Sequence, residues 1–147
     1  MSTHEADSGN RSMVVTFDME SQARFLPIVR ATVGQLALVV GWSESESRRI
    51  TMAVDEALAN VIRHAYRGRA DARIELQCRA GEDQLEIRMR DTGDPPDPSR
   101  ICPSEASCEG IGGRGTHIIR DVMDAVSYQS GADGNWFTAV KRLRRQA

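Results

Sequence analysis

The chain has 147 residues and a formal net charge of −2 at pH 7, and 40% of its residues are hydrophobic and 27% charged. This length fits one domain with its own core, and the composition is that of an ordinary soluble globule, which disfavours a disordered or fibrous chain. The near-zero net charge excludes a general attraction of the whole chain to nucleic acid.

The first part of the chain predicts a strand followed by a helix. Residues 1–12 are polar and are expected to form a disordered tail, and "MVVTF" at 13–17 has the composition of a short strand. In the segment 20–40, residues with the spacing of one buried helical stripe are Phe25, Val29, Thr32, Leu36 and Val40.

A second helix is predicted next, with Ser43 or Ser45 as its N-cap and its end near Tyr66. Within it, Glu56 and Asn60 are four residues apart, which places both side chains on one face, about 6 Å apart along the axis. The pair can therefore serve one small site. The alternative is a hydrogen-bonded pair at the edge of the core.

An antiparallel hairpin follows, because "ARIELQCR" (72–79) and "QLEIRMR" (84–90) both alternate apolar and polar residues and are joined by "AGED". The second strand leads into "RDTGDPP", which contains Asp91 and Gly93. A carboxylate at the end of a central strand can accept a hydrogen bond from an exocyclic amine, and a glycine lets a flat ring approach the backbone. The alternative is a plain acidic turn.

The segment 92–114 has no periodicity, and a loop of this length inside a small domain is usually functional or disordered. It ends in "EGIGGRG" at the start of a third helix, where free N–H groups favour an anion such as phosphate. A flexible hinge is the alternative for these glycines, which are Gly110, Gly112, Gly113 and Gly115. The only lysine, Lys141, is followed by arginine, which excludes a P-loop.

The third helix is expected to bury Ile118, Ile119, Val122 and Met123, and two strands near 125–129 and 136–143 close the chain. This order of elements predicts an α+β fold, a two-layer α/β sandwich in which a mixed, mostly antiparallel sheet carries the helices on one face. The domain is assigned to residues 13–143, and 144–147 form a C-terminal tail.

The cysteines and the hydropathy indicate a compartment. Cys78, Cys102 and Cys108 form no CxxC pair and have no clustered histidines near them, which disfavours a disulfide framework and a zinc site. No apolar run of the ~18 residues that a membrane span needs is evident, and the polar start is unlike a signal peptide. We expect a cytoplasmic protein without membrane association.

Taken together and in this order, three elements resemble the N, G1 and G2 boxes of the GHKL ATPases, and in particular the RsbW-type anti-sigma-factor serine kinases. The likeness covers about 13–143 and is carried by "DEALANVIRHAY", "RDTGDPPDP", "GGRGTHIIRDVMDAV" and "GNWFTAVKRL". The resemblance implies a Bergerat fold, in which adenine nucleotide lies in a pocket under a mobile ATP lid.

The resemblance also implies roles for individual residues, with ATP and Mg²⁺ as cofactors. Glu56 matches the general base, Asn60 the Mg²⁺ ligand, Asp91 the carboxylate that reads adenine, and Gly93 the glycine beneath the ring. The other positions expected to bind the nucleotide are Arg63, His64, Gly110, Gly112, Gly113, Arg114, Gly115, Thr116 and, on the last strand, Thr138.

The function implied is a kinase that phosphorylates a serine of a small STAS-type anti-anti-sigma antagonist and otherwise sequesters a sigma factor or similar regulator. The resemblance further implies a homodimer, with Arg30 of the first helix at the dimer or partner interface. One alternative is an ATP-dependent binding switch with little or no phosphotransfer. Another is the catalytic domain of a histidine kinase, which the lack of a helical hairpin carrying a phospho-accepting histidine disfavours.

Overall fold

A five-stranded antiparallel sheet organises the computed structural model, which describes residues 11–97 and 114–145. The strands are β1 (Met13–Glu20), β2 (Arg73–Ala80), β3 (Gln84–Asp91), β4 (Ala125–Gly131) and β5 (Gly134–Arg142). Their order across the sheet is β1-β2-β3-β5-β4, so β3 is the central strand. Every pairing between these strands is antiparallel. The sheet was predicted to be mixed and mostly antiparallel, and in its described part it is antiparallel throughout.

One face of the sheet forms the floor of the core. Every second residue of β2 and β3 is buried, because alternate side chains of a strand share a face. The fully buried ones are Ile74, Leu76, Cys78, Leu85, Ile87 and Met89. Burial raises the pKa of the Cys78 thiol to about 12, which keeps it uncharged and makes it a packing residue. Cys102 and Cys108 lie outside the described residues.

Helices cover this buried face, which confirms the predicted two-layer α+β architecture. They are α1 (Leu26–Val40), α2 (Glu44–Asn60) and α3 (Arg114–Val122). Of the two predicted caps for α2, Ser43 is the one used: its side chain accepts from the Glu46 N–H at 3.2 Å, and the Glu46 carboxylate accepts from the Ser43 N–H. This reciprocal capping box satisfies two backbone donors at the helix start.

The first helix starts later than predicted. All eight residues of β1 pair with β2, so the strand continues to Glu20, and one 3₁₀ turn, Ala23–Phe25, leads into α1. Pro27 lies in the first turn of α1. Backbone N–H groups in the first turn have no intrahelical acceptor, so the N–H that proline lacks costs no hydrogen bond there. Phe25 and Thr32 are only half-buried. The buried stripe is Leu26, Val29, Val33, Leu36, Ala37 and Val40.

The sequence analysis expected no apolar run long enough for a membrane span, and this expectation was wrong for the segment that contains α1. Among the described residues, the segment Ala23–Val40 has the length and apolar composition of a span, with 18 residues. The helix nevertheless buries its apolar stripe against α2 and the sheet, and core helices of soluble proteins meet the same criterion. It is a weak indication, and the packing assigns the helix to the domain core.

The second helix ends in a π-helical turn, Val61–Ala65, followed by Tyr66. The buried Tyr66 hydroxyl donates to the carbonyl oxygen of Arg73 and accepts from the N–H of Thr92 at 2.8 Å. Tyr66 thus ties the end of this helix to the start of β2 and to the segment that follows β3. Turns of this kind are frequent at functional sites.

The described residues include only the two ends of the predicted lid. Of the expected disordered tail 1–12, only residues 11 and 12 are described. Of the lid segment 92–114, only 92–97 and Arg114 are described. Lid closure therefore stays a prediction.

Candidate functional site

A cavity of about 810 Å³ lies where the C-terminal half of α2, the π-helical turn, α3 and the last strands meet. This volume is in the range of small-molecule sites, which are roughly 300–1,000 Å³. Its apolar wall includes Met89, Ile118, Ile119, Val126, Tyr128 and Phe137, and its polar lining includes Glu56, Asn60, Arg63, His64, Asp91 and Asn135. A mostly apolar cavity with a few convergent polar groups is typical of a ligand site.

Glu56 and Asn60 lie on the cavity side of α2, as the four-residue spacing predicts. A third residue, Arg63, joins them. Its Nη2 donates to Glu56 Oε1 at 2.9 Å and to Asn60 Oδ1 at 3.3 Å. One guanidinium therefore bridges the predicted general base and the predicted Mg²⁺ ligand, while 57% of the Arg63 side chain remains exposed.

The oxygens of Glu56 and Asn60 fit a weakly held, hydrated cation. They already converge on one positive group, the Arg63 guanidinium. Within residues 11–97 and 114–145, no cluster of three or more His, Cys, Asp and Glu side chains could hold a metal by itself. Mg²⁺ in nucleotide sites needs only one or two protein oxygens, because water and phosphate complete its coordination.

Asp91 is the last residue of the central strand and is only 7% exposed. Its Oδ1 accepts from Asn135 Nδ2 at 2.8 Å and from the Gly93 N–H at 3.0 Å. Burial raises the pKa of this carboxyl, and the two hydrogen bonds act in the opposite direction because they favour the carboxylate. Among the described residues both of these bonds fall on Oδ1, so Oδ2 can accept from a ligand.

Gly93 is required by its contact with the π-helical turn. A Cβ at this position would lie 2.3 Å from the Ala65 carbonyl oxygen, and the next N–H, of Asp94, donates to the same oxygen at 2.8 Å. Glycine is the residue that permits such a backbone approach. Gly93 is not among the residues that line the cavity, and its expected place beneath a bound ring stays a prediction.

We expect Gly93→Ala to destabilise the fold by roughly 1–3 kcal/mol, since the added methyl group meets rigid backbone and not a flexible side chain. Urea denaturation measures the change. Gly131→Ala is the matched control, because a Cβ there meets nothing within 4 Å. Equal losses in the two variants would contradict the close-approach role.

The predicted phosphate loop is described only at its end. Arg114, Gly115 and Thr116 begin α3, whose Ile118 and Ile119 line the cavity. Gly110, Gly112 and Gly113 lie outside the described residues. Phosphate binding by this loop stays a prediction.

The structure does not bring Thr138 to the cavity. Thr138 pairs with Arg88 in the β3–β5 ladder and points away from the inward side of β5, which carries Asn135 and Phe137. Asn135 instead lies opposite Asp91. The sequence analysis missed Asn135, although a polar residue in the inward phase of an alternating strand is a detectable signal.

Arg30 lies outside this cavity and links two helices. Its Nη1 donates to Asp55 Oδ1 at 3.1 Å. Asp55 immediately precedes Glu56 in the sequence. The Arg30 and Asp55 side chains are 45% and 29% exposed, and exposed pairs of this kind contribute only about 0–1 kcal/mol.

Comparison with curated proteins points to one kind of kinase. The serine-protein kinase RsbW of Listeria innocua is 29% identical over 120 residues, which is 76% of this chain and 76% of that protein. The serine-protein kinase RsbW of Bacillus subtilis is 26% identical over 129 residues, or 82% of this chain and 81% of that protein. These relatives confirm the predicted likeness to RsbW-type kinases.

Two solved structures share the fold. The RsbU and RsbW domains of a Mycobacterium tuberculosis protein match with a TM-score of 0.59 at 19% identity, over 92% of this chain and 34% of that one. The histidine kinase domain of a blue-light activated histidine kinase from Erythrobacter litoralis matches with a TM-score of 0.55 at 20% identity, over 82% and 60%. The model of the histidine kinase-like ATPase domain matches residues 19–141. With that match over most of its length, the chain belongs to the histidine kinase-like ATPase family.

Proposed function

We propose that the protein is an ATP-dependent serine kinase of the RsbW type, which acts in the cytoplasm in a partner-switching system. It phosphorylates a serine of a STAS-type anti-anti-sigma antagonist and otherwise binds a sigma factor or similar regulator. One observation carries the proposal: Glu56, Asn60 and Asp91 line a single cavity in a chain of this ATPase family. The relatives named serine-protein kinase support serine as the acceptor.

Nucleotide recognition follows from the buried end of the cavity. Asp91 Oδ2 accepts a hydrogen bond from the exocyclic amine of adenine, and Met89, Tyr128 and Phe137 offer apolar surface to the ring. The rings of Tyr128 and Phe137 support each other, with centroids 5.1 Å apart and planes tilted by 58°. Guanine carries a carbonyl at the position of that amine and cannot donate to Asp91.

Phosphoryl transfer takes place at the polar pair that α2 contributes to the cavity, Glu56 and Asn60. Glu56 accepts the proton of the incoming serine hydroxyl as the γ-phosphoryl group is transferred. Mg²⁺ held by Asn60 and by the phosphates would offset negative charge on the transferred group. Arg63 turns away from both oxygens when the nucleotide binds, and its largely exposed side chain can do so into solvent.

The test is transfer of label from γ-labelled ATP to a serine of a purified STAS-domain protein from the same genome, with and without Mg²⁺. Label on serine, dependent on Mg²⁺, is the expected result. Asn60→Ala is expected to raise the Mg²⁺ concentration needed for tight ATP binding by about tenfold or more, because even supporting residues of metal sites contribute that much. A Mg²⁺ dependence unchanged by Asn60→Ala would contradict the assigned ligand.

A binding switch with little or no phosphotransfer is the second candidate. The Arg63 bridge favours it, since one guanidinium engages both Glu56 and Asn60. In that case ATP binds and changes the affinity for a protein partner, while no label reaches serine. The labelling experiment therefore separates the two functions.

We further propose a homodimer in which Arg30 contacts the partner protein or the second subunit. A carboxylate of the partner can take the place of Asp55, because the exposed Arg30–Asp55 pair is weak and arginine binds carboxylates through a planar fork. We expect Arg30→Ala to keep the fold and ATP binding but to weaken partner binding by about 1–2 kcal/mol, as measured by calorimetry.

Arg142→Ala is the matched control for that measurement, since Arg142 is exposed at the end of β5. It should bind partners as the unsubstituted protein does. A monomer in light scattering, or equal partner affinity in both variants, would remove the interface model and leave the nucleotide site unaffected.

A further inference from the structure

Asn135 is a buried amide on the inward side of β5, where the next two residues are apolar. It is only 8% exposed, and its neighbours in the same phase of the strand are Phe137 and Ala139. Its Nδ2 donates to Asp91 Oδ1 at 2.8 Å and to the Gly93 carbonyl oxygen at 3.0 Å, with Asp94 O at 3.5 Å. These partners satisfy the amide donor, which would be costly to bury unpaired.

The Asn135 contacts fix the plane of the Asp91 carboxylate. The terminal torsion of an aspartate is broad, so an isolated carboxylate would rotate freely. Here two donors, Asn135 Nδ2 and the Gly93 N–H, converge on the same oxygen from β5 and from the turn after β3. Rotation is thereby opposed, and Oδ2 is kept in one direction. The bond from Asn135 to Gly93 O holds that turn in the same unit.

We propose that Asn135 is a positioning residue for base recognition, which orients Asp91 so that its free oxygen accepts from the exocyclic amine of an adenine nucleotide. The inference rests on the proposed adenine site. Asn135 does not contact the base through this bond but acts through Asp91. Without its amide, Asp91 is expected to discriminate less well between adenine and a base that carries a carbonyl at the same position.

The same bond has a consequence for pH dependence. The ionisable groups that line the same cavity as Asp91 are Glu56, Arg63, His64, Arg67, Asp94, Asp97, Arg120 and Tyr128, while β2 places the apolar Ile74 opposite Asp91. Burial raises the pKa of Asp91, and the hydrogen bonds from Asn135 and the Gly93 N–H act to lower it. Removing the Asn135 donor therefore raises the pKa of Asp91 further.

The sign of the effect on binding follows directly. The carboxylate accepts from the adenine amine and the protonated acid does so less well, so ATP binding weakens as the pH falls through the pKa of Asp91. In Asn135→Ala this loss begins at a higher pH. A role limited to packing would instead weaken binding equally at every pH.

The experiment is a calorimetric titration of MgATP and MgITP across acidic to neutral pH. In Asn135→Ala we expect the acid limb of ATP binding to move to higher pH, with ATP affinity about tenfold lower there, and the preference for ATP over ITP to shrink. Asn135→Ser, whose hydroxyl is also a donor, should recover part of both properties. The titration of ATP itself is common to all proteins and cancels in the comparison.

Ser130→Ala is the control, because Ser130 lies opposite Asn135 in the β4–β5 register and should leave the profile unchanged. Superposed pH profiles and equal ATP-to-ITP ratios for the wild type and both Asn135 variants would overturn this inference alone. A wild-type protein that binds no ATP would overturn the adenine site and the inference together. Thermal denaturation of each variant establishes that it is folded, and Asn135→Ser provides the comparison if Asn135→Ala is not.

Discussion

Asp91→Asn is expected to lower the affinity for ATP by about 10- to 100-fold, or about 1–3 kcal/mol, and to reverse the preference for ATP over ITP. The amide oxygen of the new side chain can remain against the Gly93 N–H and Asn135 Nδ2, which both donate to Oδ1 in the native protein. Its NH₂ group then replaces the Oδ2 acceptor. Two donors face each other when adenine binds, whereas the carbonyl of hypoxanthine can accept.

Calorimetry with MgATP and MgITP measures both effects in one series. Asp83→Asn is the matched control: the same chemical change at an exposed position beside the β2–β3 turn, at the other end of the central strand. Unchanged ATP affinity in Asp91→Asn would remove Asp91 from base recognition, and would also remove the basis for the role of Asn135.

Glu56→Gln is expected to reduce phosphotransfer by roughly 10²–10⁴-fold while ATP still binds, because a positioned general base contributes about that much and an amide cannot take the proton. The substitution keeps an oxygen that can accept from Arg63, whose Nη2 lies 2.9 Å from Glu56 Oε1. The loss is therefore expected in the chemical step and not in nucleotide affinity.

Single-turnover label transfer, with ATP affinity measured on the same samples, separates these two quantities. Glu82→Gln is the control, since Glu82 is exposed in the β2–β3 turn, far along the sheet from the end of β3. If Glu56→Gln phosphorylates the cognate partner at the wild-type rate, Glu56 is not the base.

The turn "RDTGDPP" is held by three hydrogen bonds from two parts of the fold, the end of the π-helical turn and β5. The Tyr66 hydroxyl accepts from the Thr92 N–H, the Ala65 carbonyl accepts from the Asp94 N–H, and Asn135 holds Asp91. The first two contacts come from consecutive residues at the helix end, and the third comes from β5. The carboxylate that we propose to read adenine is therefore fixed by the helix end and by β5 together.

Local patterns in the sequence predicted most of the elements, and the motifs within them carried the resemblance to the family. Strand alternation, the serine before α2 and the four-residue spacing of Glu56 and Asn60 are short-range signals, because they depend on the 2.0- and 3.6-residue periods of strand and helix. They placed the pair on one helix face and Asp91 at the end of a strand, both of which agree with the structure.

The contacts that complete the site depend on register and on burial, which no local period determines. Thr138 and Asn135 are three residues apart on one strand, an odd number, so they face opposite sides of the sheet, and only the pairing of β5 with β3 shows which of them meets Asp91. The approach of Gly93 to Ala65 and the Arg30–Asp55 pair likewise join residues 28 and 25 positions apart. The sequence thus determined which side chains were available for the chemistry, while tertiary packing decided their partners, because those partners come from distant segments brought together by burial of the common core.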